Sequence, residues 1–333
     1  MIRILVTGGS GFIGSRLVPL LDAAGCAVTV PTRRRERARH LLVLPQADVV
    51  EADIHDDATL ARLVDRADAV VNLVGILHGR GGRAAGDEYD VGPDFMKAHV
   101  RLAERLVAAA ADRPRGTGGP PRRLVQVSAL GVDVDDVARL PSRYLRSKAV
   151  AERIVRASPL DWTILRPSVV FGEGDSFLSL FATLQRFLPV LALASTQARF
   201  QPVYVGDLAC AIRNCLIGPY ALQTRGRSFE VAGPTVHTLE QLIRLAGSAS
   251  GHPRRVFTLP DGLGRLQAAL MERLPGATLM SRDNLDSMKV DNVASGPIDP
   301  LLDIDPVSLE RIAPGYLAPG DSPYNAERRR AGR

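Results

Sequence analysis

Lysine is scarce in this chain. Only Lys97, Lys148 and Lys289 carry an ammonium among 42 basic residues, and the rest are arginine. An arginine bias of this kind is compositional and assigns no function, but it makes a lysine inside a motif more informative. Aromatic residues are equally thin, at 5% with a single tryptophan. That leaves no stacking platform for nucleic-acid bases, and the net charge of +6 is carried by dispersed residues rather than one basic patch. The three cysteines, Cys26, Cys210 and Cys215, have no disulfide, zinc or redox spacing. Cys210 and Cys215 lie in an apolar segment and read as core, in keeping with a reducing compartment. Long apolar runs are absent: nothing reaches the ~18 residues that span a bilayer. The nearest stretch, residues 177–194, is broken by Gln185, Arg186 and Pro189 and reads as buried helix and loop. Met1 runs almost directly into a strand, without the apolar segment of a signal peptide. The expectation is a cytoplasmic protein with no nucleic-acid partner, no metal site and no transmembrane segment, free to touch the inner membrane peripherally.

With 333 residues, 46% hydrophobic and 23% charged, the chain is of ordinary globular composition and longer than one typical domain. Its first half alternates short apolar runs with helical patterns. Strands are expected at residues 2–7, 27–30, 48–51, 69–73, 123–128 and 162–165. Helices are expected at 12–24, 34–44, 58–66, 94–111 and 142–157. Continuous apolar strands alternating with helices predict an α/β fold, a Rossmann-type doubly wound parallel sheet covered on both faces. Residues 113–123, rich in Pro, Gly and Arg, read as a loop. Beyond Gly172 the alternation weakens. Helices at 177–187 and 239–250 and short strands at 201–205 and 228–231 suggest a smaller α+β C-terminal lobe. The expected division is a dinucleotide-binding domain over 1–172, to which 201–235 returns, a substrate or partner lobe over 173–200 and 236–320, and a basic tail over 321–333. The Pro-rich stretch after Pro297, through to this tail, is expected to fray.

The most informative motif is Gly8-Gly9-Ser10-Gly11-Phe12-Ile13-Gly14, which follows a strand and opens a helix. In that setting Gly8 permits a tight turn, Gly11 lets the backbone approach a pyrophosphate, and Gly14 lets helix and sheet pack closely. Free N–H groups at the helix start hold the phosphates. About 20 residues on, where an acid would meet an NAD ribose, the sequence has Arg33 and Arg34 and no acid before Glu36. Guanidinium groups pair with a 2′-phosphate, so NADP(H) is favoured over NAD(H). Asp53 and Ile54, after the third strand, are placed to reach the adenine. Tyr144 and Lys148 stand one helical turn apart, after the fifth strand. A neighbouring ammonium is expected to lower the phenol's pKa and give a usable acid or base.

The glycine loop, Asp53-Ile54, the Tyr144/Lys148 pair and Arg166-Pro167-Ser168-Val169-Val170-Phe171-Gly172 resemble the extended and atypical short-chain dehydrogenase/reductase superfamily over about residues 1–235. Four further blocks, Asn72–Gly75, Ser142–Ala149, Gln201–Asp207 and Ser281–Asn284, are similar to the family of NADPH-binding accessory subunits of mitochondrial complex I and its bacterial relatives. The resemblance implies that Gly8, Gly11, Phe12 and Ile13 lie at the pyrophosphate and Leu73, Val74 and Gly75 along the adenosine side. It implies that Ser128, Tyr144, Lys148 and Pro167 surround the nicotinamide, with Val127 and Val170 completing the cofactor set. Tyr144, Lys148 and Ser128 are the candidate catalytic residues. Dehydratases and epimerases of this type carry a Ser or Thr hydroxyl just after strand five. Here that place falls on Ala129, which neither donates nor accepts, and Ser128 lies one residue earlier, on the opposite face of a strand. Three functions follow: an NADP(H)-binding accessory or assembly factor, tied to a respiratory or quinone-related partner and of weak or no turnover; an NADP-dependent oxidoreductase, possible in quinone metabolism, using Tyr144 and Lys148; or a nucleotide-sugar epimerase/dehydratase.

Overall fold

The computed structural model describes residues 1–79, 82, 85–111, 122–273 and 280–318. The chain opens with β1 (Arg3–Thr7), α1 (Gly14–Ala23), β2 (Ala27–Thr32), a 3₁₀ helix at Arg35–Leu41, β3 (Ala47–Glu51), α2 (Asp57–Asp65) and β4 (Ala69–Asn72). It continues with α3 (Pro93–Phe95), a π-helical stretch at Met96–Arg101, α4 (Leu102–Ala111), β5 (Arg123–Val127), α5 (Arg143–Arg156) and β6 (Asp161–Pro167). Next come β7 (Val170–Phe171), α6 (Leu178–Phe187), β8 (Val190–Leu193), β9 (Arg199–Phe200), β10 (Val203–Tyr204), α7 (Val205–Ile217) and β11 (Arg227–Val231). The last are β12 (His237–Thr238), α8 (Leu239–Ala249), β13 (Arg255–Thr258), α9 (Asp261–Met271), α10 (Arg282–Ser287), a 3₁₀ turn at Pro300–Leu302 and α11 (Leu309–Leu317).

Seven strands form one parallel sheet in the order β11-β6-β5-β4-β1-β2-β3. This is the Rossmann-type α/β fold expected from the sequence. Side chains alternate across the sheet, so Ile4 and Val6 join a core with Leu17 and Leu21 of α1 and Leu208 and Ile212 of α7. Leu5 faces the other way, among Leu60, Leu102 and Leu106 of the opposite helical layer. Every residue of β4 and β5 is buried because both faces are covered. The strand order reverses between β1 and β4, and the crevice beyond their carboxyl ends is where such sheets bind ligands.

Two local expectations are corrected, and one helix is added. Residues 34–44 form a tighter 3₁₀ helix over Arg35–Leu41, with Ala38 off helical geometry. Its two buried residues, Ala38 and Leu41, are three apart, the period of that helix. The helix at 94–111 changes hydrogen-bond pattern at Met96–Arg101, a π segment that turns His99 and Val100 together into the interior. Helix α7 escaped the sequence reading because it is apolar almost all round, which erases helical periodicity.

The C-terminal half builds a second core, in which Leu178 and Phe181 of α6 meet Leu191 and Leu193 of β8 and Leu242 and Ile243 of α8. Residues 177–194 thus contain a strand, and not all of the stretch is buried: Phe187 is 75% exposed. Nor is everything after Pro297 frayed, since Leu302 packs in the sheet core and Leu309, Ala313 and Leu317 in the second one. Residues 112–121 of the Pro- and Gly-rich loop, and the basic tail, lie outside the described residues. The cysteines are free thiols, Cys26 and Cys215 buried and Cys210 half-buried.

Candidate functional site

The crevice begins where β1 and β4 end. Thr7 and Asn72 are register partners, and the chain leaves β1 at Gly8 with φ +77°. A side chain there would be strained, and its Cβ would stand 3.0 Å from the Leu73 carbonyl carbon and 3.1 Å from the Val74 nitrogen. A Cβ at Gly14 would fall 2.2 Å from the Gly9 carbonyl oxygen, so α1 starts directly against the turn. Among the described residues the N–H groups of Phe12, Ile13 and Gly14 have no acceptor. Three unpaired donors at a helix start form an anion cradle. The floor is a buried polar chain. Thr7 Oγ1 donates to Asn72 Oδ1 at 2.9 Å, Asn72 Nδ2 to Gln126 Oε1 at 2.9 Å, and Gln126 Nε2 to the Val127 carbonyl at 3.1 Å. It ties the ends of β1, β4 and β5 and also accepts the Val74 N–H.

At one end of the crevice Arg33 and Arg34 are exposed just beyond β2, with no ion pair among the described residues. Asp53 is exposed and accepts the His55 N–H at 2.9 Å, while half-buried Ile54 packs on the core beneath. Burial lowers the His55 pKa, helped by the positive charges of Lys97, Arg105 and Arg33 and opposed by Asp53. Lys97 therefore belongs to this cationic rim, although the sequence reading gave it no role.

Tyr144 and Lys148 stand at the other end, on α5. Ser142 caps this helix by accepting the Leu145 N–H. Asp283 of α10 accepts the Arg143 and Tyr144 N–H groups at 2.7 and 3.1 Å. The Ser281–Asn284 block thus acts as a second cap on the helix that carries Tyr144. Buried Lys148 donates to the Val127 carbonyl at 3.3 Å, and its Nζ lies 6.0 Å from the centre of the Tyr144 ring. Gly75 leaves room for it: a Cβ there would come within 3.4 Å of Nζ. The expected lowering of the phenol's pKa does not occur. Burial pushes Tyr144 up from 10.0 to about 12, and burial draws Lys148 down from 10.5 to about 8 against the attraction of Glu152. Desolvation penalises both charged forms and outweighs their mutual attraction at this separation. At neutral pH the phenol is a proton donor and the lysine a cation.

His99 was missed, since one histidine on a helix gives no sequence signal. It is buried beside both residues, its ring centre 5.8 Å from that of Tyr144. Its Nε2 accepts the Ile76 N–H at 3.0 Å, so Nδ1 carries the proton and donates to Ser147 Oγ at 2.7 Å. Ser147 Oγ in turn donates to the Tyr144 carbonyl at 2.7 Å. Burial, reinforced by the Lys148 charge, holds the His99 pKa well below its ordinary value. The imidazole is a neutral strut between the turn after β4 and the Tyr144 helix.

The strand-five hydroxyl is the weak point. The Ser128 N–H donates to the Leu165 carbonyl and the Leu130 N–H to the Pro167 carbonyl, so the ladder alternates normally and Ser128 and Ala129 face opposite ways. Ala129 lies in an apolar cluster with Val132, Val137, Leu140 and Leu145, against which Tyr144 packs. Ser128 Oγ is buried and has no partner among the described residues. Pro167 is buried at the end of β6, and Val170 is half-buried in β7. The glycine turn, the three free amides, the orphaned Ser128 hydroxyl and the Lys148 ammonium fit a dinucleotide laid across the strand ends. Among the described residues no cluster of three or more His, Cys, Asp or Glu could hold a metal ion.

A family model described as NAD(P)H-binding matches residues 8–176. The mitochondrial NADH dehydrogenase (ubiquinone) 1 alpha subcomplex subunit 9 of Arabidopsis thaliana is 30% identical, over 87% of this chain and 70% of its own length. The ceramide reductase of Caulobacter vibrioides is 28% identical, over 78% of this chain and 74% of its own length. Among solved structures, a nucleoside-diphosphate-sugar epimerase from Staphylococcus aureus superposes with a TM-score of 0.69 at 17% identity, over 94% of this chain and 100% of that one. That last likeness is one of fold. The crevice, the glycine turn and the relatives agree: the chain belongs to the NAD(P)H-binding family.

Proposed function

We propose that the protein retains NADP(H), in preference to NAD(H), with little or no turnover, as an accessory or assembly factor for a respiratory or quinone-linked partner at the cytoplasmic face of the inner membrane. In this reading residues 1–172 and 201–235 hold the cofactor and the remaining lobe meets the partner. The observation that carries it is Ala129 packed beside Tyr144 in an apolar cluster. The methyl group of Ala129 cannot hydrogen-bond a substrate next to the phenol, while the glycine turn keeps its free amides. The complex I subunits among the relatives support the accessory role. Arg33 and Arg34, exposed and without an ion pair among the described residues, support the phosphate preference.

The test is to purify the protein, measure bound dinucleotide by fluorescence, titrate both cofactors and follow exchange. Tight NADPH binding, slow exchange and no hydride transfer are expected. Changing Arg33 and Arg34 to Ser is expected to weaken NADPH by roughly 10- to 100-fold and leave NADH unaffected, since hydrogen bonds to charged groups are worth about 1.5–3 kcal/mol. NADH binding at least as tightly as NADPH would refute the preference. The second reading, an NADP-dependent oxidoreductase, is favoured by the Tyr144/Lys148 pair and by the ceramide reductase relative. Hydride transfer to a ketone or quinone that disappears in Tyr144→Phe would establish it and overturn the first.

A further inference from the structure

The second core turns an apolar face to solvent. On α9, Leu263, Leu266 and Leu270 are 54%, 58% and 56% exposed. Their spacing puts them in one stripe, whereas the residues facing inward are Gly264 and Ala268. The orientation is fixed by contacts: a Cβ at Gly264 would meet Ala194, and Gln267 Nε2 donates to the Ala192 carbonyl at 3.0 Å. The three leucines of this helix point to water, while Gly264, Ala268 and Met271 at its end face the core, so most of its apolar bulk is left unburied by its own domain. Beside it β8 and β13 pair in parallel, with Leu191 and Val256 turned to the core. The alternate residues Val190 and Phe257 face out, 44% and 50% exposed. Phe187, at the end of α6 and three residues before Val190, is exposed as well.

Arginines edge this face. Arg186 lies over the Phe187 ring at 5.8 Å. Arg244, Arg254 and Arg255 line a groove of about 470 Å³ whose wall includes Phe257. Arg244 is paired with Glu240 and Arg254 donates to the Gln185 carbonyl, while Arg255 has no ion pair among the described residues. Of the acids on α9 and just after it, Glu272 is paired with Arg282, which leaves Asp261 at the helix start.

We propose that this face docks on an anionic phospholipid bilayer, the leucines and phenylalanines entering the acyl boundary and the arginine groove taking lipid phosphate. Exposed apolar side chains gain by leaving water, and guanidinium groups are drawn to an anionic leaflet. An amphipathic helix lying flat with cations at its edge is the geometry of interfacial binding. No described helix is long and apolar enough to cross a membrane, so this attachment is peripheral. The proposal is independent of the NADP(H) reading, because none of these residues belongs to the cofactor cradle.

The test is flotation of the full chain with vesicles of phosphatidylglycerol mixed into phosphatidylcholine, and with phosphatidylcholine alone. Binding to the anionic vesicles that weakens with salt is expected. The double change Leu266→Glu, Leu270→Glu is expected to lower partitioning by roughly tenfold or more. Arg254→Ser and Arg255→Ser are expected to lower it by about fivefold each. An unchanged thermal midpoint and unchanged NADPH retention would show that the variants are folded. Absence of binding, equal binding to neutral vesicles, or indifference to the leucine changes overturns the proposal. So does a loss of oligomeric mass in the leucine variant without any lipid effect, which would assign the face to a second copy of the chain.

Discussion

Lys148→Met is expected to stabilise the protein without cofactor while destroying the site. Burial draws the ammonium from 10.5 to about 8. That difference corresponds to about 3 kcal/mol of folded-state penalty, since one pKa unit is about 1.4 kcal/mol. Methionine has similar length and no charge, but it abandons the hydrogen bond to the Val127 carbonyl, worth about 1 kcal/mol. A net gain of about 2 kcal/mol at pH 7 raises the midpoint of a chain this size by about 3 °C. The sign fixes the pH dependence. The folded pKa lies below the unfolded one, so the penalty is full below about 8 and fades as pH rises toward 10.5, where the unfolded chain also loses the proton. Thermal melts of wild type and variant from pH 7 to 10 are the assay, and their difference isolates the lysine from Tyr144 and Cys215, whose raised pKa values act above pH 9. Excess NADPH should reverse the order by stabilising only the wild type. A variant that melts lower at pH 7, or a gap independent of pH, would refute the argument that a buried charge is maintained here at the expense of stability.

Gly14→Ala should abolish dinucleotide binding and lower the midpoint, because a Cβ 2.2 Å from the Gly9 carbonyl forces α1 off the turn; tryptic stability and NADPH titration would show both. His99 is held neutral, so wild-type stability should fall as pH drops below 6.5, where the unfolded imidazole takes up a proton. In His99→Gln that slope should flatten, as urea melts at pH 5 and 7 would show. Glu152 is fully buried and paired with Arg166 through both oxygens, so Glu152→Gln should destabilise by about 3–5 kcal/mol in urea unfolding, as expected when half of a buried ion pair is removed.

How much was legible in advance divides by range of interaction. The glycine loop declared itself because turn, amide donors and helix start lie within seven consecutive residues. The strands of the sheet declared themselves through apolar runs such as residues 69–71 of β4. Tyr144 and Lys148 were visible as one helical turn, and Ala129 as a missing hydroxyl. His99 was not visible, because its meaning rests on Ile76 and Ser147, 23 and 48 residues away. Asp283 gained its role only when α10 was brought to the start of α5, some 140 residues distant.

By itself, then, the sequence determined the alternating fold and the glycine turn that opens α1, since both depend on local backbone conformation and hydrophobic period. The tertiary structure decided the electrostatics. Burial overrode the expected attraction between Lys148 and Tyr144 and left the phenol a weak acid. It also decided which apolar residues stay outside: Leu266 and Phe181 are alike in composition, and only packing places one in water and the other in the core. Desolvation and exposure are properties of everything surrounding a residue, and most of those surroundings are far away along the chain.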